Sequence, residues 1–123
     1  MSRSAEIVTS LRQEFPGKNI IQIPPDNPSE IICEVERDDQ RSLAVVYIER
    51  SIPHYHSDSW ETYAIDQGEL SLQVAGKQYV LTEGEAYTVK PGKVHSAVGD
   101  WTRARVESRP PWKAEDHILA SRR

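Results

Sequence analysis

Apolar residues change their spacing once along this chain. In SAEIVTSLRQEF, Ile7, Val8, Leu11 and Phe15 recur at helical intervals. Pro16-Gly17 then interrupts the pattern. The spacing predicts a short amphipathic helix over residues 4–15. The next stretch, IIQIPPDNPSE, is proline-rich and reads as an extended strap, so that helix and strap occupy residues 4–28. From Ser29 onward, short apolar or alternating runs follow one another: EIICEVE, LAVVYIE, ETYAID, ELSLQVA, KQYVLT, EAYTVK, HSAVG and TRARVES. Turn residues separate most of them, among them Asp38-Asp39, Gly68, Gly76, Gly84 and Pro91-Gly92. Strands at this density, rich in β-branched and aromatic residues, predict an all-β sandwich or barrel over residues 29–108. No helix-length pattern interrupts them, which excludes βαβ crossovers. The tail, residues 109–123, opens on two prolines and is expected to end in one helical turn.

Composition narrows the class. A chain of 123 residues suits one domain with one core, residues 1–123. Apolar residues at 37% and charged residues at 28% fit a small barrel that gains extra burial from an oligomer interface. The apolar segment NIIQI, with Ile20 to Ile23, lies outside the barrel and is expected to pair with a second copy in a homodimer. No run approaches the ~20 apolar residues of a membrane helix, and the first residues do not resemble a secretory signal. A single cysteine, Cys33, forms no intrachain disulfide, as suits a reducing cytoplasm. A net charge of −4 without basic clusters argues against nucleic acid as a partner.

The chemistry gathers in IPHYHSDSWETYAIDQG, residues 52–68. Residues i and i+2 of a strand face one side, so His54 and His56 present two imidazoles together. SDSW is polar enough to bend the chain and return Glu61 beside them. His95 follows the turn KPGKV and offers a fourth donor. An H-x-H pair alone is often just the polar face of a strand; the remote carboxylate and third histidine add weight. Three imidazoles and one carboxylate suit Fe(II), Mn(II), Ni(II), Zn(II) or Co(II) and disfavour Mg or Ca.

These residues also carry a resemblance. HYHSDSWETYAIDQG resembles the first cupin motif through His54, His56, Glu61 and Gly68, and GEAYTVKPGKVH resembles the second through Gly84, Pro91-Gly92 and His95. The short gap between Gly68 and Gly84 is similar to that of compact bacterial single-domain cupins. Ile48, Lys90 and Gly99 depart from the motifs, at positions where the family usually has glycine, proline and asparagine. None is a metal ligand. The resemblance implies an antiparallel jelly-roll barrel, a double-stranded β-helix, with one divalent transition metal (Fe, Mn, Ni or Zn) in its mouth held by His54, His56, Glu61 and His95. It also implies a small-molecule ligand.

Around that site, Tyr63 shares the parity of Glu61 and is the candidate catalytic acid/base. Tyr47, Gln73 and Arg105 are weaker substrate-binding candidates; an inward Arg105 would offer a fork to a carboxylate or phosphate. Cys33 alternates with Ile31 and Val35 and is expected to be a buried structural thiol. Trp60, Trp101 and Trp112 are expected to pack rather than bind, and His117 to lie on the surface of the tail. Three functions follow. The first is Lewis-acid isomerisation, epimerisation or elimination on a small oxygen-rich molecule such as a sugar or sugar phosphate. The second is an Fe(II) dioxygenase, and the third a non-catalytic ligand-binding module. Fold alone does not choose among them.

Overall fold

The computed structural model describes residues 2–120. Helix α1 spans Arg3–Glu14. Ser2 caps it by accepting a hydrogen bond from the Ala5 amide, and the chain leaves it through Pro16 and Gly17, whose φ of 79° suits glycine. Nine strands follow: β1 Ile20–Ile23, β2 Glu30–Arg37, β3 Ser42–Tyr55, β4 Trp60–Gln67, β5 Leu70–Val74, β6 Lys77–Leu81, β7 Ala86–Val89, β8 His95–Arg109 and β9 Ile118–Leu119. All described pairings are antiparallel. The 15-residue β8 is the spine of the barrel. Strand β3 runs along one of its edges, while β4 and then β5 share the other.

Three expectations change. The strap begins with a strand, because Ile20 to Ile23 pair with Glu30 to Cys33 of the same chain. The segment thus pairs along one of its edges with its own chain. HSAVG and TRARVES are one strand, not two; the register shifts between Ile48 and Arg50 of β3, and Trp101 in the bulge takes a φ of 53°. Gly99 is required there. A Cβ on it would collide with the Thr102 hydroxyl and lie 3.0 Å from the Ile48 carbonyl oxygen. Finally, the tail makes a 3-10 turn at Ala114–Asp116 and then a short strand, β9, which pairs with His54 and Tyr55.

Strand parity sorts the side chains into two cores. Ile31, Cys33 and Val45 point outward and pack under Ile7, Val8 and Leu11 of α1. Each fully buried aliphatic side chain there is worth about 1.5–3 kcal/mol. Glu14 of the same helix meets Arg103 of β8 through two N–O contacts of 2.9 and 2.8 Å. Val46, Ile48, Ile65, Leu70, Leu72 and Ala104 point inward and fill one end of the barrel. The other end is left for polar groups.

Candidate metal centre and cavity

Four buried side chains, His54, His56, Glu61 and His95, place one ligand atom each within 4.8 Å of one another. Their positions follow from the strands. His54 lies near the end of β3 directly opposite His95 at the start of β8, and Glu61 is the second residue of β4. Gly92, at φ 81°, donates its amide to the His56 carbonyl at 2.8 Å and so ties the KPGKV turn against the first motif.

The imidazoles are oriented from behind. Nδ1 of His54, His56 and His95 lies 2.7, 2.8 and 2.9 Å from the backbone carbonyls of Ile52, Asp116 and Lys93. A carbonyl can only accept, so each Nδ1 carries a proton and each ring turns its Nε2 inward. Glu61 Oε1 lies 3.0 Å from His95 Nε2 and 3.3 Å from His56 Nε2, and accepts the Tyr63 hydroxyl at 3.0 Å. The His56 contact is close in distance but poorly directed, leaving this buried nitrogen without a hydrogen bond. Lone pairs and a carboxylate oxygen converging in a buried space require a cation between them, either a proton or a metal ion.

The titration behaviour agrees. Burial, then the neighbouring His95, pushes the His54 pKa down to about 3. Burial also opposes charge on His56, but Glu61 and the Asp116 carbonyl outweigh it and raise its pKa. Burial would raise Glu61, yet His56 and His95 hold it well below the usual carboxylate range. The donor set therefore fits a divalent transition metal, with the mixed nitrogen and oxygen character such ions take.

A cavity of about 250 Å³ opens beside the cluster, and His54, Glu61 and Tyr63 belong to its wall. Tyr63 thus stands where its parity placed it. Tyr47, Gln73 and Arg105 do not. Tyr47 points outward toward α1 and accepts a hydrogen bond from Arg103. Gln73 is exposed on β5, and Arg105 is exposed and paired with Asp66 at 3.0 Å. All three fall on the outer parity of their strands. Cys33 is buried beneath α1, and burial raises its thiol pKa.

The tail supplies what sequence reasoning missed. His117 is not a surface residue: it is partly buried, lines the cavity and stacks on His54 with ring centroids 4.2 Å apart. Trp112 lines the cavity too, whereas Trp60 is exposed and Trp101 packs near α1. Asp116 locks the arrangement, since its carboxylate accepts the Ser57 and Asp58 amides at 2.6 and 3.2 Å while its carbonyl holds His56. The two prolines after β8 were the one available signal that the tail turns back. On the inner face, Glu30 was also missed, although the alternation of EIICEVE puts it opposite in parity to the buried Ile31 and Cys33.

Comparison with known proteins agrees with this geometry. Residues 45–102 match the family model of the cupin domain. No curated protein sequence matches the chain. Among solved structures, Streptomyces Pac13 with uridine is 13% identical, covering 87% of this chain and 88% of its own, with a TM-score of 0.76. Pac13 is described as a unique nucleoside dehydratase. KdgF from Halomonas sp. is 16% identical, covering 79% and 89%, with a TM-score of 0.68. An RmlC-like cupin from Shewanella frigidimarina is 18% identical, covering 80% and 88%, with a TM-score of 0.66. Likeness at these identities carries the fold and not the substrate. The barrel and the two motifs agree with the match of residues 45–102 to the cupin domain, and the solved structures share that fold.

Proposed function

We propose that this protein is a metal-dependent enzyme that moves protons on, or eliminates water from, a small oxygen-rich molecule such as a sugar. The observation that carries the reading is the sharing of His54 and Glu61 between the donor cluster and the cavity wall. A ligand in the cavity would sit directly against His54 and Glu61. A divalent transition metal held by them would supply Lewis acidity toward a carbonyl or hydroxyl oxygen.

The chain's own residues provide the rest. The Tyr63 hydroxyl faces the cavity with a pKa raised well above its usual value by burial and then by Glu61 and Glu30. It therefore keeps its proton at neutral pH, donating it to Glu61, and a ligand oxygen entering the cavity could receive that hydrogen bond instead. His117, whose pKa is lowered by burial and then by His56, is neutral in the same range and can accept a proton at a ring nitrogen. Trp112 and His117, their ring centroids 6.3 Å apart, line the cavity from the tail. Pac13, a nucleoside dehydratase of the same fold, performs an elimination on this type of scaffold.

The test is incubation of metal-loaded protein with aldoses, ketoses and nucleosides in deuterated water, followed by NMR. Incorporation of deuterium at carbon, or appearance of a dehydrated product, is expected for at least one of them and should be lost in Tyr63→Phe. Oxygen uptake by iron-loaded protein with no deuterium incorporation would favour the dioxygenase instead.

A further inference from the structure

One carboxyl of the cavity has no partner. Glu30, at the start of β2, is 8% exposed and lines the same cavity as Glu61 and Tyr63. It pairs through its backbone with Ile48 of β3 and Ile23 of β1, so its side chain is fixed to the inner face by three strands. Among the described residues, no hydrogen bond or ion pair reaches its carboxyl. Its carboxyl oxygens open onto the cavity, where a ligand or solvent can meet them. The outer face of the same strand shows the contrast, for Ile31 and Cys33 are as deeply buried and wholly apolar.

The charges around it limit what can meet it. Among the described residues, the cavity wall holds three carboxyls, Glu30, Glu34 and Glu61, and one guanidinium, Arg37. Arg37 is already engaged, donating to Glu34 at 3.1 Å and to the Trp112 carbonyl at 2.8 Å. Among the described residues, no lysine and no second arginine lines the cavity. A phosphate ester ordinarily needs a cluster of cationic or amide donors. Here it would meet three carboxyls and one arginine already paired with Glu34.

We infer that Glu30 is the ligand-recognition carboxyl of this cavity, receiving a hydroxyl or amino group of an uncharged or cationic polyhydroxylated molecule, and that phosphate esters are excluded. The Glu30 pKa, raised to about 8 by burial and then by Glu61, is consistent: near neutrality the group is a carboxylic acid that can donate as well as accept. Beside it, the apolar wall of Ile21, Ile32 and Val46, together with Trp112, accommodates the carbon skeleton of such a ligand.

The inference rests on the enzyme reading only in taking this cavity as the substrate's. It is tested by binding, not turnover. Metal-loaded full-length protein is titrated calorimetrically with matched pairs: ribose and ribose 5-phosphate, glucose and glucose 6-phosphate, uridine and uridine monophosphate. At least one neutral member should bind, and its phosphate should bind tenfold or more weakly. Glu30→Met, close in length and compatible with the apolar wall, should weaken the neutral ligand by tenfold or more with metal content unchanged. Glu30→Gln, which keeps a donor and an acceptor, should recover part of that loss and also serves as the check that the fold tolerates change at this position. Tighter binding of the phosphates, no binding by any neutral member, or equal affinity in Glu30→Met with its metal retained would each overturn the inference. Neutral binding that depends on Glu30 but is accompanied by no deuterium incorporation would uphold it while removing the proposed chemistry.

Discussion

The two faces of strands β2 and β3 belong to one sheet and answer to opposite demands. The outer face, with Ile31, Cys33 and Val45, is sealed by Ile7, Val8 and Leu11 of α1 and carries no buried carboxyl or imidazole. The inner face is apolar at Ile32, Ala44 and Val46 but adds Glu30 and, at the end of β3, His54. The outer face satisfies itself by packing. The inner face gathers polar groups that meet little of the chain: the Glu30 carboxyl opens onto the cavity without a partner among the described residues, and His56, just past β3, has an Nε2 lacking a hydrogen bond. Burial without satisfaction, confined to one side of a sheet, marks the side on which a ligand completes the structure.

The comparison can be broken most severely at His95. It is the fully buried donor that β8 brings to His54, and His95→Ala should abolish stoichiometric metal binding, measured by elemental analysis after loading and dialysis. Retention of one tightly held metal per chain would mean that the four donors do not act as a set. A cut into the outer face should do the reverse. Leu11→Ala removes a fully buried side chain under α1 and should cost about 2–5 kcal/mol in denaturant unfolding, leaving metal stoichiometry unchanged. Lost metal in a folded Leu11→Ala would show that the two faces are coupled.

A third change sharpens the difference through pH. Glu30 has its pKa raised from 4.5 to about 8 in the folded chain. Between those values the folded protein holds a proton that the unfolded chain has lost, so this group's contribution makes stability fall as pH rises from about 4.5 to about 8. In chelated protein, Glu30→Gln should therefore gain on wild type by a few kcal/mol at pH 9, on the order expected for such a shift, and converge with it near pH 4. A constant difference across that range, from melting curves, would place Glu30 in a solvated setting.

Much of this organisation was legible in the residues, for identifiable reasons. Helical spacing of Ile7, Val8 and Leu11 predicted α1, and period-2 alternation predicted the barrel strands. The H-x-H pair survives because two residues on a strand share a side whatever the barrel does. Tyr63 followed from Glu61 by the same parity. Tyr47 and Arg105 failed because parity within a strand does not say which side is inside; that depends on α1 covering one face and the barrel closing over the other. His117 and Asp116 were out of reach for a different reason. They arrive through an irregular tail whose path is set by contacts with Ser57, Asp58 and His54, which have no periodic signature.

The central claim is that the inner-face donors complete the fold by holding a metal ion. The most direct measurement is the melting temperature of the full-length protein with and without chelator, alongside elemental analysis of protein purified without chelator. Because the four donors converge only in the folded barrel, binding should add to folding stability. The account predicts about one divalent transition metal per chain and a melting temperature that drops on chelation and recovers on reloading. No metal after loading with each of iron, manganese, nickel and zinc, together with an unchanged melting temperature, would contradict it.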